Sequence, residues 1–222
     1  MEQLNKEELI EGHTIENGNS QKEEKRVKRV TSTRNIVYSA LFTALIVAGS
    51  YITIDIQPVP FTMQLPCVLL TSLLLGPIWG TVSVFVYIAL GLMGVPVFSS
   101  KGSAGIAYVL KPSFGYIIGF LVASVVVGML AKSKENDRLK PYQRMMIANT
   151  IGVLIIYAIG MLYMFLILKL YLAAEVTVKT IFISGFLIFL PKEMVFIVLT
   201  ALLASKLKPY VNTEIKQRKR IT

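Results

Sequence analysis

Long apolar stretches dominate this chain, and their lengths predict membrane-spanning helices. An α-helix rises about 1.5 Å per residue, so about 20 apolar residues cross a hydrocarbon core of about 30 Å. Six apolar segments are found, at 36–54, 65–75, 78–97, 113–131, 145–170 and 180–206. The pattern predicts an all-α integral membrane protein with six transmembrane helices.

The segment at 65–75 is the weakest of the six, because it covers only about half of the hydrocarbon core. Lys and Arg cluster before the first segment, between 132 and 144, and after the last segment. Loops rich in these residues stay in the cytoplasm, so even numbers of crossings must separate the three clusters. The short segment is therefore predicted to cross, and both termini are predicted to be cytoplasmic.

The residues before the short segment, Pro-Val-Pro-Phe at 58–61, do not favour a helix. Non-helical backbone at membrane depth is tolerated only where it contacts protein or lines a cavity. This stretch therefore predicts a binding site nearby.

Composition supports a membrane protein with polar ends. Of 222 residues, 54% are hydrophobic and 16% charged, with a mean hydropathy of +0.63, whereas soluble domains carry about a quarter charged residues. We predict a disordered cytoplasmic tail at 1–34, a six-helix domain at 35–208 and a basic cytoplasmic tail at 209–222. The net charge of +10 flanks apolar segments, which favours the lipid bilayer as partner and excludes nucleic acid. The expected location is the plasma membrane, crossed several times.

Sequence motifs for catalysis or metal binding are missing from the chain. It has no G-x-x-x-x-G-K-[ST] phosphate loop, no G-x-S-x-G elbow and no H-E-x-x-H helix. The lone Cys67 and the lone His13 have no Cys or His neighbours, which predicts no metal site. We expect no catalytic residue and no ATPase of its own, so any ATP energy must come from a partner.

Two charges adjoin the apolar run of the last segment, Lys192 and Glu193. A charge inside a span costs about 2.5 to 3.5 kcal/mol on insertion scales, so such residues usually face a cavity or a partner. Either both side chains lie at the membrane interface, with Lys192 pointing outward, or Glu193 accepts hydrogen bonds from N–H groups of a ligand. We expect Glu193 at a helix N-terminus, where the helix dipole favours it in either case.

Small residues recur every four positions on the first helix, at Ala40, Ala44 and Ala48. Such a stripe lets another helix approach closely. The approaching helix belongs either to this chain or to a partner. Gly115 and Gly119 repeat the spacing on the fourth segment, where we expect packing within the chain.

Several short blocks occur in the same order as in the BioY family, the biotin-binding S components of energy-coupling factor (ECF) transporters, and the chain resembles that family over about 33–208. The blocks are PVPFTMQ at 58–64, LLGP at 74–77, GVPVF at 94–98, KPSFGYIIGF at 111–120, AN at 148–149 and IYAIG at 156–160.

The resemblance implies a six-helix capsule that binds biotin near its outer face, with the first and third loops as lids. It implies docking to an ECF transmembrane coupling protein and two ATP-binding cassette ATPases, which bind ATP, with Ala40, Ala44 and Ala48 as the docking face. No cofactor is implied. We expect Lys101 and Lys111 to contact the ligand's carboxylate, because both are predicted to lie on the outer side. The candidate ligand-binding residues are Glu193, Lys192, Gln64, Phe98, Lys101, Lys111, Tyr116 and Tyr157.

The last helix departs from the family pattern, which resembles Pro-Gly-Asp-x-x-Lys with the Asp and Lys contacting biotin. Here the sequence is Pro191-Lys192-Glu193, with Phe196 at the Lys position. Lys192 precedes the acid and therefore lies on the flank opposite to the Lys position of the family pattern. Two alternatives stay open: an S component for another vitamin or carboxylate such as lipoate, and a stand-alone secondary transporter coupled to protons through Glu193.

Overall fold

The computed structural model describes residues 33–54, 59–99, 104–132, 139–172 and 177–211. From Ser39 onward the chain forms one compact unit, and the packing reported below lies within it. The predicted tails fall outside the described residues, apart from 33–34 and 209–211, which are helical.

Helices make up most of the described chain. They are α1 Thr33–Tyr51, α2 Gln64–Leu92, α3 Phe114–Leu130, α4 Pro141–Leu166, α5 Val178–Phe182 and α6 Leu190–Val211. A 3₁₀ helix, Ile106–Leu110, precedes α3, and π-helical turns at Ile167–Tyr171 and Ile183–Leu187 extend α4 and α5.

A two-stranded antiparallel sheet lies between α1 and α2 in the chain. Strand β1, Thr53–Ile54, pairs with β2, Phe61–Thr62, and Thr53 is opposite Thr62. The prediction of an all-α fold is confirmed for the bulk of the described chain and wrong for these four residues. The physical reason is that backbone N–H and C=O groups outside helices still need hydrogen-bond partners, which strand pairing supplies.

Helix α2 turns back on itself at Gly76 and Pro77. Gly76 has φ 77° and ψ −172°, a left-handed conformation that favours glycine. A Cβ atom on Gly80 would lie 3.0 Å from the Cα atom of Ser72, although eight residues of straight helix span about 12 Å. The two halves therefore pack antiparallel. The first covers the predicted segment 65–75, and the second ends at Leu92, before the predicted end of 78–97.

Close packing and buried hydrogen bonds join the other helices. A Cβ atom on Gly119 in α3 would lie 2.9 Å from the Cα atom of Ile156 in α4, so only glycine permits this approach. The predicted packing role of Gly119 is confirmed. Between α4 and α6, the Asn149 amide donates a hydrogen bond of 2.8 Å to the Thr200 hydroxyl, and both side chains are buried.

The small-residue stripe of α1 faces outward. Ala40, Ala44 and Ala48 are all exposed. The opposite face of the helix is buried at Ser39, Thr43, Ile46, Gly49 and Ser50. The stripe therefore packs against no helix within the described part of the chain, and its role in docking a partner stays a prediction.

Three helical stretches among the described residues are long and apolar enough to cross a membrane by length and composition: Gln64–Leu92, Pro141–Tyr171 and Lys179–Val211. The first of them is divided by the reversal at Gly76. Phe114–Leu130 is a shorter apolar helix. Large apolar side chains such as Phe85, Leu154 and Leu199 are more than half exposed, which suits contact with lipid and would be unfavourable in water. The number of crossings and the orientation stay predictions.

Candidate ligand-binding site

A single carboxylate lies at the centre of the candidate site. Glu193 is fully buried, and no other Asp or Glu occurs among the residues that the structure describes. Its backbone N–H donates to the carbonyl of Phe189 at 3.1 Å, and α5 with its π-helical turn precedes it. Glu193 is the fourth residue of α6 and lies in its first turn, so the expected location at a helix N-terminus is confirmed. The helix dipole favours a carboxylate there, but it does not by itself offset the full burial of the charge.

Neighbouring polar groups compensate the burial of Glu193. The Lys192 ammonium lies 2.9 Å from carboxylate oxygen Oε1, and the Tyr157 hydroxyl donates a hydrogen bond of 2.9 Å to the same oxygen. Carboxylate oxygen Oε2 is buried and has no hydrogen-bond partner among the described residues. A buried charge of this kind is stable only when it is paired and hydrogen-bonded. Both described partners contact Oε1, which leaves Oε2 as an acceptor for a ligand.

The side chain of Lys192 points inward. Its ammonium donates to the carbonyl of Thr62 at 3.1 Å and lies 4.2 Å from the ring centroid of Phe61 and 5.5 Å from that of Phe189. Only 11% of the side chain is exposed. The alternative in which Lys192 points outward at the interface is therefore wrong, because a nearby carboxylate, a carbonyl and two aromatic faces hold the ammonium inside.

Aromatic residues surround these charges. The rings of Tyr116 and Tyr157 meet edge to face, with centroids 5.6 Å apart, and the Tyr116 hydroxyl donates a hydrogen bond of 2.9 Å to the carbonyl of Gly185 in the π-helical turn. Phe61 stacks on Phe189. The chain segment before α2 and helices α2, α3, α4 and α6 enclose a cavity lined by Val59, Pro60, Thr62, Leu65, Tyr116, Phe120, Ile156, Tyr157, Phe189, Lys192 and Glu193.

The volume of this cavity is about 40 Å³. Sites for small organic ligands typically enclose about 300 to 1,000 Å³, whereas a water molecule occupies about 30 Å³ in the liquid. The cavity is therefore smaller than a vitamin, and binding a vitamin-sized ligand requires at least one wall to move.

Four of the eight predicted ligand-binding residues meet at this cavity: Glu193, Lys192, Tyr116 and Tyr157. Sequence reasoning missed the ring of Phe189 and the carbonyl of Thr62. The block at 58–64 contained the signal for Thr62, because non-helical backbone beside a span predicted a site. Nothing in the sequence singled out Phe189.

Three other predicted residues lie in an adjacent cluster and not in the cavity wall. Phe98 stacks on Tyr108 with centroids 4.3 Å apart, and the Lys111 ammonium lies 5.2 Å from the Tyr108 ring centroid. The buried Gln64 amide is beside the Tyr87 hydroxyl, without a hydrogen bond of regular geometry between them. Lys101 lies outside the described residues.

Comparisons with known proteins point to one family. The family model for the BioY family matches residues 21–213. The probable biotin transporter BioY of Lysinibacillus sphaericus is 39% identical over 79% of this chain and 87% of its own length. The biotin transporter BioY of Thermotoga maritima is 35% identical over 79% of this chain and 96% of its own length.

A solved structure has the same fold. The crystal structure of the S-component for biotin from an ECF-type ABC transporter superimposes with a TM-score of 0.65 and 28% sequence identity. The match covers 83% of this chain and 93% of that one.

Replacing Tyr157 by Phe removes the hydroxyl that donates to Glu193 and changes little else. A hydrogen bond to a charged group contributes about 1.5 to 3 kcal/mol, so we expect the free energy of unfolding to fall by about that amount. Thermal unfolding of the purified protein in detergent measures the loss. Tyr171→Phe, at an exposed position, is the matched control. Equal stability of the two variants would contradict the described contact.

Proposed function

The chain belongs to the BioY family, and from this membership and the buried Glu193 site we propose that it is the substrate-binding membrane subunit of an ATP-driven biotin uptake transporter. It is a multi-pass protein of the cell membrane. The subunit captures biotin from outside and passes it inward together with an ECF transmembrane coupling protein and two ATP-binding cassette ATPases. Its work is binding and conformational change, without covalent chemistry.

One observation carries the proposal: a buried carboxylate oxygen that has no hydrogen-bond partner in the part of the chain that the structure describes, in an aromatic cavity. Biotin joins a compact apolar ring system to a ureido group with two N–H donors. In our proposal, Glu193 Oε2 accepts a ureido N–H, while Tyr116, Phe120 and Phe189 pack against the ring. A site built to pair such donors rejects analogues that lack them, because its buried acceptor would then stay unpaired.

Lys192 supplies the positive charge that Phe196 does not provide at the Lys position of the family pattern. Its ammonium reaches the Glu193 carboxylate at 2.9 Å from the preceding position in the chain. The ion pair keeps the site close to neutral, which favours a neutral ureido group over a cationic ligand.

The carboxylate tail of biotin is proposed to extend toward the cluster around Phe98. The Gln64 amide nitrogen is a buried donor without a hydrogen-bond partner among the described residues. Lys101 and Lys111 follow Phe98 in the sequence, in a stretch predicted to lie on the outer side. These donors suit a carboxylate, whereas the Glu193 end would repel one.

Replacing Glu193 by Gln keeps the size of the side chain and removes its charge. We expect biotin affinity to fall about 10- to 150-fold, from the contribution of about 1.5 to 3 kcal/mol of a charge-assisted hydrogen bond. Equilibrium binding of labelled biotin to the purified protein measures the change in affinity, with Glu175→Gln, a carboxylate outside the described residues, as control. Unchanged affinity would show that Glu193 does not contact biotin.

A thermal-shift screen of the purified protein with lipoate, thiamine and riboflavin tests the alternative ligands.

The topology that this function needs has six crossings and two cytoplasmic termini. The antiparallel halves of α2 support an even number of crossings before the basic cluster at 132–144. In a Cys67→Ser background, Met93→Cys should react with a membrane-impermeant maleimide in intact cells, and Lys140→Cys only after permeabilisation. Labelling of both positions in intact cells would contradict the proposed orientation.

The exposed stripe Ala40, Ala44 and Ala48 is proposed as the surface that docks on the coupling protein. Ala44→Trp adds an indole to this face, so we expect biotin binding to persist while copurification with the coupling protein is lost. Val122→Trp, at an exposed position of α3, controls for a bulky group on the outer surface. An intact complex with Ala44→Trp would place the docking face elsewhere.

A further inference from the structure

Two buried polar pairs join α4 to α6. In the ligand site, the Tyr157 hydroxyl donates to Glu193 Oε1 at 2.9 Å. Farther along the same two helices, the Asn149 amide nitrogen donates to the Thr200 hydroxyl at 2.8 Å and to the carbonyl of Ile197 at 3.2 Å. The side chains of both pairs are buried. Asn149 and Thr200 are not among the residues that line the cavity.

The spacing of the two pairs corresponds to one alignment of the helices. Tyr157 follows Asn149 by eight residues, which is about 12 Å along a helix axis. Thr200 follows Glu193 by seven residues, which is about 10.5 Å. The residue numbers rise on α4 and fall on α6 from the second pair to the first, so the helices are antiparallel. Sliding one helix by a single turn, about 5.4 Å, would separate the partners of both pairs.

The buried amide of Asn149 is poorly suited to a purely stabilising role. Its oxygen Oδ1 has no hydrogen-bond partner among the residues that the structure describes, and burial of such an atom is unfavourable. The Thr200 hydroxyl donates to the carbonyl of Phe196, so it keeps a partner even without the amide. In coiled coils, a buried Asn fixes the register of helices at a cost in stability. The same reasoning favours a role for Asn149 in aligning α4 with α6.

We propose that Asn149 is a positioning residue that sets the register of α4 against α6 and thereby keeps the Tyr157 hydroxyl on Glu193 Oε1. With Oε1 held by Tyr157, the carboxylate presents Oε2 to the ligand. The ligand is the one given by the proposed function, and in this respect the inference rests on it. Asn149 acts through Tyr157 and does not contact the ligand, because about 12 Å of helix separates the two residues.

A double-mutant cycle between Asn149 and Tyr157 tests the alignment. Asn149→Leu keeps a branched side chain and removes the amide, and Tyr157→Phe removes the hydroxyl that the amide is proposed to place. With Tyr157 present, we expect Asn149→Leu to weaken equilibrium binding of labelled biotin about 2- to 12-fold, which corresponds to one hydrogen bond. In the Tyr157→Phe background, it should change the affinity by less than about two-fold. Residues this far apart are normally additive, so the difference between the backgrounds measures the link.

Thermal unfolding of the ligand-free variants provides a measurement that does not involve biotin. With Tyr157 present, Asn149→Leu should lower the unfolding temperature, because the hydroxyl is no longer held on the carboxylate. In the Tyr157→Phe background, the same substitution should leave the unfolding temperature unchanged or raise it, since leucine replaces an amide whose Oδ1 has no described partner. If Asn149→Leu does not fold, Asn149→Ala takes its place, and its effect should be smaller in the Tyr157→Phe background.

Ser83→Ala is the matched control. The hydroxyls of Ser39 and Ser83 form a buried hydrogen bond of 2.9 Å between α1 and α2, and neither residue lines the cavity. Its loss should lower the unfolding temperature by the same amount with Tyr157 and with Tyr157→Phe. Biotin affinity should stay within about two-fold of the wild type.

The outcomes separate the two hypotheses. A wild-type protein that does not bind biotin would overturn the proposed function, while the unfolding cycle would still decide the role of Asn149. Equal effects of Asn149→Leu in the two backgrounds would show that Asn149 acts independently of Tyr157, and would overturn the inference. Wild-type biotin affinity in Asn149→Leu would overturn it as well.

Discussion

A carboxylate inside an apolar protein must be neutralised where it lies, because solvent cannot do so, and Glu193 imposes that requirement on its surroundings. Removing an ion from water costs several kcal/mol even after relaxation, and only close partners offset this cost. Lys192 supplies the opposite charge and Tyr157 a hydrogen bond, both on Oε1. Because Lys192 must reach inward to do this, its ammonium also contacts β2. One electrostatic constraint therefore connects α4, α6 and the strand that covers the cavity.

Sequence alone was sufficient for the features that depend on local pattern. The apolar segments predicted the helices. The parity of the basic clusters required the short segment at 65–75 to cross separately from 78–97; the chain does reverse between them at Gly76, while the crossing itself stays a prediction. Glu193 and Lys192 were predicted because charges are rare beside apolar runs. The pairing of β1 with β2, the ring of Phe189 and the inward direction of Lys192 depend on contacts between distant residues, which periodicity does not encode. Phe98 and Lys111 lie in a neighbouring cluster and not in the cavity wall, and periodicity could not predict this either.

In the last helix, the sequence position of the lysine differs from the family pattern, while the position of its ammonium beside the acid is retained. Compared position by position, the chain lacks the Lys implied by the BioY resemblance and has Phe196 instead. In three dimensions a Lys ammonium still lies within 2.9 Å of the acid, delivered from the preceding residue. A flexible four-carbon side chain makes this possible, since the ammonium can be placed by rotation about several bonds. The charge balance of the site is kept although the position of the charge in the sequence is not.

The reversal at Gly76 and Pro77 also bears on how the chain enters a bilayer during synthesis. The connection between the halves of α2 contains no charged residue and hardly any residues at all, so the two halves stay close together along the chain. The first half is too short to cross the hydrocarbon core by itself. Packed side by side, the two halves bury small residues such as Ser72 and Gly80 against each other, which favours their insertion as a single helical hairpin.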